Sequence, residues 1–293
     1  MAVNRLTVKS PAKVNLVLEV IGKRDDGYHN IRSLVQTVDL FDVITFENSN
    51  TFMFSCTESS LQTDDNLIVR AVNLLKKEIN GIRNVRIELI KRIPWAAGLG
   101  GGSSNAAMAL LAVNRLSGEV CPRDKLTEIA ARLGSDVPYF LSGGLAMIEG
   151  KGDIVKPLPD LSSYWIVLMI PPLHPISNKT GTLYSLLNTS HYSQEHLTSD
   201  VVTNLLRNKK IDCRILFNTF EHVAFHAFHG LEDYWKIFQS SGARHVHLSG
   251  SGPALFSIYK DKSEAEQVGG ILSERGLIAY VVQSINKGVL ISA

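Results

Sequence analysis

Pro94-Trp95-Ala96-Ala97-Gly98-Leu99-Gly100-Gly101-Gly102-Ser103-Ser104-Asn105 is the stretch that most limits what this chain can be. Four of the five residues from Gly98 to Gly102 are glycine. The residues before them, Val85 to Ile93, alternate like a strand, and the residues after, Ala106 to Leu116, form an apolar helical run. Strand, glycine loop and helix start, in that order, make an anion cradle. Glycines let backbone N–H groups approach an anion with no Cβ in the way, and a helix N-terminus adds unpaired donors and partial positive charge. Ser103 and Ser104 are placed to cap that helix or to reach a metal-bound phosphate. No lysine follows the glycines, so this is not the P-loop. The acid nearest the spacing of a dinucleotide fingerprint, Glu119, follows the helix rather than a second strand. A glycine turn serving only tight packing would read the same from the loop alone.

The 293 residues suffice for two ordinary domains. Charged residues make up 20% and the net charge is +2, so no nucleic-acid or membrane partner is expected. Three well-separated cysteines form no Cys-x-x-Cys pair and point to a reducing compartment. Met1 to Ser10 lacks the apolar run of a signal peptide, and Trp165 to Pro172 is too short to cross a bilayer. A cytoplasmic protein is expected.

Along the chain, Arg5–Val8 and Val14–Ile21 read as two strands separated by Ser10-Pro11-Ala12-Lys13. Lys13 beside Asn15 is either a reactive pair or an ordinary edge lysine. Gly22 to Asn30 is a charged turn whose chemistry does not explain Tyr28-His29. An aromatic face with a hydrogen-bonding ring suits a flat heterocycle, though a tyrosine packing its loop is equally consistent. Ile31–Leu40 is extended or helical. Asp42–Glu47 and Thr51–Ser55 are expected to pair across Asn48-Ser49-Asn50, and Asn66 to cap a helix over Leu67–Ile79. Further helices are expected at Arg123–Leu133, Lys179–Leu187, Val201–Leu206, Ile215–Phe228 and Ser263–Glu274, with a loop over 188–200 and a short tail after Ile285. Asp136, in the linker before Val137, is a cap or an exposed carboxylate. His222, His226 and His229 share a helical spacing, but with no carboxylate singled out beside them no metal site is assigned. Ser249-Gly250-Ser251-Gly252-Pro253 joins two strands as a hairpin turn or a second anion contact. The prolines at 157 and 159 mark the best boundary, and strand–helix alternation on both sides indicates an α/β or α+β protein.

Taken together, Pro11 to Leu16, Pro94 to Ser104 and Leu248 to Ala254 resemble the three ordered motifs of the GHMP kinase superfamily and span nearly the whole chain. Asp25-Asp26-Gly27-Tyr28-His29, Leu133 to Pro138 and Gly100 to Asn105 look like its 4-diphosphocytidyl-2-C-methyl-D-erythritol kinases. Mevalonate- or homoserine-type kinases and a non-catalytic nucleotide-binding relative are the alternatives. The resemblance implies an α+β (α/β, two-domain) GHMP kinase fold. Its N-terminal ATP-binding domain, residues 1–157, has a left-handed β-α-β crossover; its C-terminal domain, 158–293, is ferredoxin-like. It implies ATP as co-substrate with Mg2+, a small-molecule acceptor, and a monomer or weak homodimer.

The implied roles fall residue by residue. Lys13 and Asp136 form the catalytic pair, the carboxylate as base and the lysine offsetting charge. Pro94, Trp95, Ala96, Ala97, Gly98, Leu99, Gly100, Gly101, Gly102, Ser103 and Ser104 wrap ATP, with Asn66 and Leu67 near the adenine. Asn15, Tyr28, His29, Thr180, Tyr184, Gly250, Ser251 and Gly252 face the acceptor, Tyr184 stacking on a cytosine opposite Tyr28. No residue is assigned as a certain metal ligand. Two departures stand out: relatives often carry glycine where this loop has Ala96, and their usual Val-Ser-Thr before Thr180 is replaced by Ser177-Asn178-Lys179.

Overall fold

The computed structural model describes residues 4–193 and 196–286. The tail after residue 286 and two residues of the expected 188–200 loop, Gln194 and Glu195, lie outside the described residues.

The first sheet is built on a long antiparallel pair, β1 (Arg5–Lys23) and β2 (His29–Asn48). The sequence divides β1 in two at Pro11, but the strand is continuous, with a register shift between Pro11 and Ala12. A bulge is where a strand tolerates a proline. The undecided segment Ile31–Leu40 is extended, because both edges of β2 are used. β1 takes one. On the other, β4 (Val85–Ile90) covers the C-terminal half and β5 (Leu145–Glu149) the N-terminal half, with β6 (Ile154–Pro157) beyond β5.

β3 (Met53–Cys56) does not form the expected hairpin with β2. It lies parallel to β4, reached through the crossover helix α1 (Leu67–Glu78). α2 (Gly101–Leu116) and α3 (Arg123–Leu133) pack against the same sheet, with the short α4 (Val137–Phe140) after them. α2 starts inside the glycine run, five residues before the expected Ala106, so the loop leads straight into the first turn.

The second sheet has the order β11-β7-β10-β9, all antiparallel: β7 (Trp165–Ile170), β9 (His247–Leu248), β10 (Leu255–Tyr259) and β11 (Ile278–Gln283). With helices between β7 and β9 and α9 (Lys262–Glu274) between β10 and β11, this is the ferredoxin-like β-α-β-β-α-β order. α5 (Lys179–Leu186), α6 (Leu197–Asn208), α7 (Glu221–Ala227) and α8 (Leu231–Ser240) lie between β7 and β9. The expected 188–200 loop already contains the start of α6. The single helix expected over Ile215–Phe228 is split, because β8 (Phe217–Asn218) pairs with Val17–Leu18 of β1 before α7 begins.

That excursion ties the halves together. β8 belongs to the first sheet, and Ser284, just after β11, bridges to Val38 of β2. One apolar cluster runs across the seam, joining Ala12, Val14 and Leu16 of β1, Ala97 and Leu99 of the glycine loop, and Ile166 and Phe256 of the second sheet. The loop is therefore packed into the seam between the two sheets.

Candidate active site

β-strand alternation puts Lys13 and Asn15 on one face of β1, and both are buried. The Lys13 ammonium donates to Asn15 Oδ1, Asn15 Nδ2 donates to Ser33 Oγ at 2.7 Å, and Ser33 Oγ donates to the Val17 carbonyl at 2.6 Å. This chain of bonds fixes the lysine's direction. Across the gap, Asp136 Oδ2 lies 3.7 Å from Lys13 Nζ with half of its side chain exposed. Asp136 stands at the N-cap position of α4 but makes no capping hydrogen bond, so its carboxylate remains available in the cleft.

The glycine loop sits directly over this pair. Lys13 N donates to Leu99 O at 2.9 Å. Gly100, at φ 71°, is the N-cap of α2 in the left-handed region; a Cβ there would meet Phe140 at 2.8 Å and Lys13 Cγ at 3.0 Å. Only glycine lets the loop cross that close. The first N–H groups of α2 have no intrahelical acceptor and lie at the cleft. The two serines separate clearly. Ser104 is fully buried and accepts from Ser10 Oγ at 2.7 Å, whereas half-buried Ser103 lines the cleft.

The loop divides the cleft into two cavities, with Gly98, Gly100 and Ser103 in the wall between them. The larger, about 720 Å³, holds Lys13, Asn15, Asp136, Tyr28, His29, Thr180, Tyr184, Gly250 and Ser251. The smaller, about 400 Å³, holds Pro94, Trp95, Ala96, Ala97, Leu99, Gly101, Gly102, Asn66 and Leu67. Of the residues singled out in the sequence, Ser104 and Gly252 line neither cavity. Gly252 instead packs behind Gly98, where a Cβ on Gly98 would land on the Ser249 carbonyl. Two more bonds join the turns: Ala254 N donates to Ala97 O at 3.0 Å and Ser249 Oγ to Gly98 O at 3.2 Å. Asn218 of β8 holds the second turn, donating to Leu248 O at 2.9 Å and Gly250 O at 2.7 Å.

In the smaller cavity Asn66 caps α1, accepting from Ile68 N at 2.9 Å and donating to Leu61 O at 2.8 Å. Two contributors there were given no role from the sequence. Asn105 is buried with its Oδ1 lacking a hydrogen-bond partner. Lys91 forms a buried ion pair with Asp42 at 2.8 Å, while Asp42 Oδ1 accepts from Arg92 N and Ile93 N at 2.7 and 2.8 Å. The one available signal was an aspartate opening an apolar strand.

In the larger cavity the His29 and Tyr184 rings stack directly, centroids 4.5 Å apart and planes 13° apart. That is one stacking interval, so no base lies between these two rings. Tyr192, unmarked in the sequence, meets His29 edge-on, its Oη 3.3 Å from Nε2, and Phe220 closes the far side of Tyr184 at 4.9 Å. Burial, aided by Lys23, pushes the His29 pKa down, and burial with Asp136 pushes the Tyr184 phenol well up. Tyr28 stands apart, exposed, with Lys151 Nζ 5.1 Å over its ring. Thr180 Oγ1 donates to Ser251 Oγ at 3.0 Å. Among the described residues no helix is long and apolar enough to cross a membrane, and no group of three or more His, Cys, Asp or Glu is placed to hold a metal ion.

Comparison with known proteins agrees with this architecture. Residues 66–144 match the GHMP kinases N terminal domain and residues 203–277 the GHMP kinases C terminal domain. A 4-diphosphocytidyl-2-C-methyl-D-erythritol kinase of Dehalococcoides mccartyi strain 195 is 39% identical over 280 residues, covering 96% of this chain and 98% of the relative. The Clostridium perfringens strain 13 enzyme of the same name is 33% identical, covering 97% and 100%. A solved 4-(cytidine 5'-diphospho)-2C-methyl-D-erythritol kinase superposes with a TM-score of 0.80 at 30% identity, covering 95% of this chain and 99% of that one. The homoserine kinase of Cytophaga hutchinsonii, at 18% identity, shares the fold with a TM-score of 0.74, covering 98% and 96%. The chain belongs to the GHMP kinase family and is a small-molecule kinase.

Proposed function

We propose that this chain transfers the γ-phosphoryl group of ATP to the 2-hydroxyl of 4-diphosphocytidyl-2-C-methyl-D-erythritol, in the non-mevalonate supply of isoprenoid precursors. The observation that carries the reading is the Lys13–Asp136 pair, 3.7 Å apart, on the larger-cavity side of a glycine loop. Asp136 takes the proton of the acceptor hydroxyl. Lys13, held by Asn15, offsets the negative charge that develops between nucleophile and phosphoryl group. Phosphoryl transfer depends chiefly on such positioning and charge stabilisation.

ATP occupies the smaller cavity. Its adenine lies among Leu61, Leu67 and exposed Trp95, and the orphaned Oδ1 of Asn105 is the acceptor for an amino group. Its phosphates cross the N-terminus of α2. Magnesium fits this arrangement without a dedicated cage, because it takes most of its ligands from phosphate and water. Ser103, the serine not spent on Ser10, is the hydroxyl that would hold it, and the bound metal would neutralise charge on the β- and γ-phosphates.

The cytosine enters the larger cavity between Tyr28 and Tyr184, taking the place of His29 on Tyr184 so that the neutral imidazole meets the base edge. The names of the relatives support this acceptor over mevalonate or homoserine. The division at 157/158, a cytoplasmic setting, a monomeric or weakly dimeric state, and the absence of nucleic-acid and membrane partners belong to the same proposal. The test is a coupled ADP-release assay offering the cytidyl substrate, mevalonate and homoserine in parallel. Turnover of the cytidyl substrate alone is expected; turnover of mevalonate or homoserine alone overturns the assignment.

A further inference from the structure

Lys179 opens α5 and lines neither cavity, yet its ammonium meets both glycine turns. It donates to the Ala96 carbonyl at 2.6 Å and to the Gly252 carbonyl. Ala96, at φ 56°, is a non-glycine residue held in the left-handed region, and Gly252 has φ 64°. Such a conformation is unfavourable for a residue with a Cβ, so the Ala96 peptide needs an external hold. Lys179 is aimed there by Asn178, itself left-handed at φ 46°, whose side chain folds over Gly181 so closely that a Cβ at Gly181 would collide with it. Among the described residues Lys179 has no carboxylate within ion-pair distance. Its acceptors are neutral carbonyls, and its charged neighbour is another cation, Lys13.

We propose that Lys179 is a positioning residue for the nucleotide: it ties the first glycine loop to the second glycine turn in the shape that receives the triphosphate, and the triphosphate supplies the counter-charge this lysine lacks. The proposal rests on the reading of the glycine loop as the phosphate cradle.

Burial, with a contribution from Lys13, pushes the Lys179 pKa down to about 8. The groups facing it are few. The loop 94–100 and the turn 249–253 carry no titratable side chain, and β1 contributes Lys13. In the free protein the ammonium is therefore lost as pH rises through about 8. A bound triphosphate holds the proton on, so ATP binding favours the protonated form and weakens as pH rises.

The experiment is magnesium–ATP affinity by calorimetry at pH 7 and pH 9, the bound metal keeping the triphosphate ionised at both, on wild type, K179M, K179R and S103D. For wild type the Kd is expected to rise about tenfold between the two pH values. K179R, charged throughout, is expected to bind ATP with no such rise. K179M is expected to bind at least about tenfold more weakly at pH 7 and equally at pH 9, with its Kd for the cytidyl substrate within twofold of wild type. A wild-type Kd that is flat with pH, a slope that persists in K179R, or a K179M as tight as wild type at pH 7 overturns the proposal. If K179M fails to fold, the wild-type and K179R slopes decide alone. S103D places a carboxylate in the cradle itself. Loss of ATP binding there with normal binding in K179M refutes only the role of Lys179; normal binding in S103D refutes the cradle, and the proposal with it.

Discussion

The two cavities that meet at Gly98 and Gly100 are built by different means. The smaller is shaped by backbone. A turn of glycines, a helix N-terminus and a second glycine turn are locked together by main-chain bonds such as Ala254 N to Ala97 O, and anchored by Ala97 and Leu99 in the seam core. The larger is shaped by side chains brought from distant segments: His29 from the start of β2, Tyr184 from α5, Tyr192 from the following turn and Phe220 from just before α7. In this structure those rings satisfy one another. Backbone sites are pre-formed because their shape is the fold itself, whereas a side-chain wall can close on itself and must open for a ligand.

The largest expected effect lies where the two meet. Asp136→Asn removes the proposed base while keeping the shape of the linker, and kcat should fall by roughly 100- to 10,000-fold. ATP affinity should stay within threefold, since Asp136 lies on the acceptor side. A kcat within tenfold of wild type removes Asp136 from the chemistry and leaves the two cavities as binding sites without a reaction between them.

The same difference decides what the sequence could reveal. A glycine at a left-handed close approach has no substitute, so the phosphate side is written in a contiguous, ordered motif; helices such as α1, α3 and α9 followed from periodicity, whereas the β-α-β-β-α-β order came only with the family resemblance. What remained hidden depended on pairing at long range. The partner of β3 is β4 rather than β2, β8 crosses into the first sheet, and β1 runs through Pro11, because strand edges elsewhere in the chain were open to them. Tyr192 was invisible for the same reason, as nothing near it in sequence differs from an ordinary polar turn. Ala96 and the segment Ser177-Asn178-Lys179, the two departures from the family pattern, are legible one by one, but only the structure shows that Lys179 touches Ala96.

The backbone-built side has a hidden dependence on one carboxylate. Asp42 is fully buried, pairs with Lys91 and accepts from Arg92 N and Ile93 N, fixing the exit of β4 into the loop. Asp42→Ala leaves the buried Lys91 ammonium, which keeps only the Ile93 carbonyl, without its counter-charge and two N–H groups without their acceptor. Breaking a buried pair in this way costs about 3–5 kcal/mol, to be read as a fall in unfolding free energy in urea. A loss below about 1 kcal/mol would mean that the loop holds its shape without this anchor, which makes the smaller cavity more self-sufficient still.

On the side-chain wall the cleanest probe is Tyr28, since it is exposed and its removal leaves the core untouched. Base stacking is worth roughly 1–3 kcal/mol, so Tyr28→Ala should raise KM for the cytidyl substrate about 5- to 150-fold with little change in kcat or in melting temperature. An unchanged KM would confine Tyr28 to its contact with Lys151 and leave Tyr184 to hold the base alone.

The smallest expected effect tests the polar edge of that wall. Burial and Lys23 depress the His29 pKa below its ordinary 6.5, so the ring is neutral at pH 7 and offers one donor and one acceptor. Protonation turns the acceptor into a second donor. KM for the cytidyl substrate should therefore hold constant from pH 8 to 7 and rise as pH falls through the depressed value, while kcat under saturation changes little. Stability moves in the same sense. Between the folded value and 6.5 the unfolded chain binds more protons, so stability rises with pH across that window and flattens above 6.5. His29→Gln keeps a donor and an acceptor but does not titrate, so its KM should be flat where the wild type's climbs. If the wild-type KM is equally flat down to pH 5, the imidazole contributes only its face, and the larger cavity recognises its base by stacking alone.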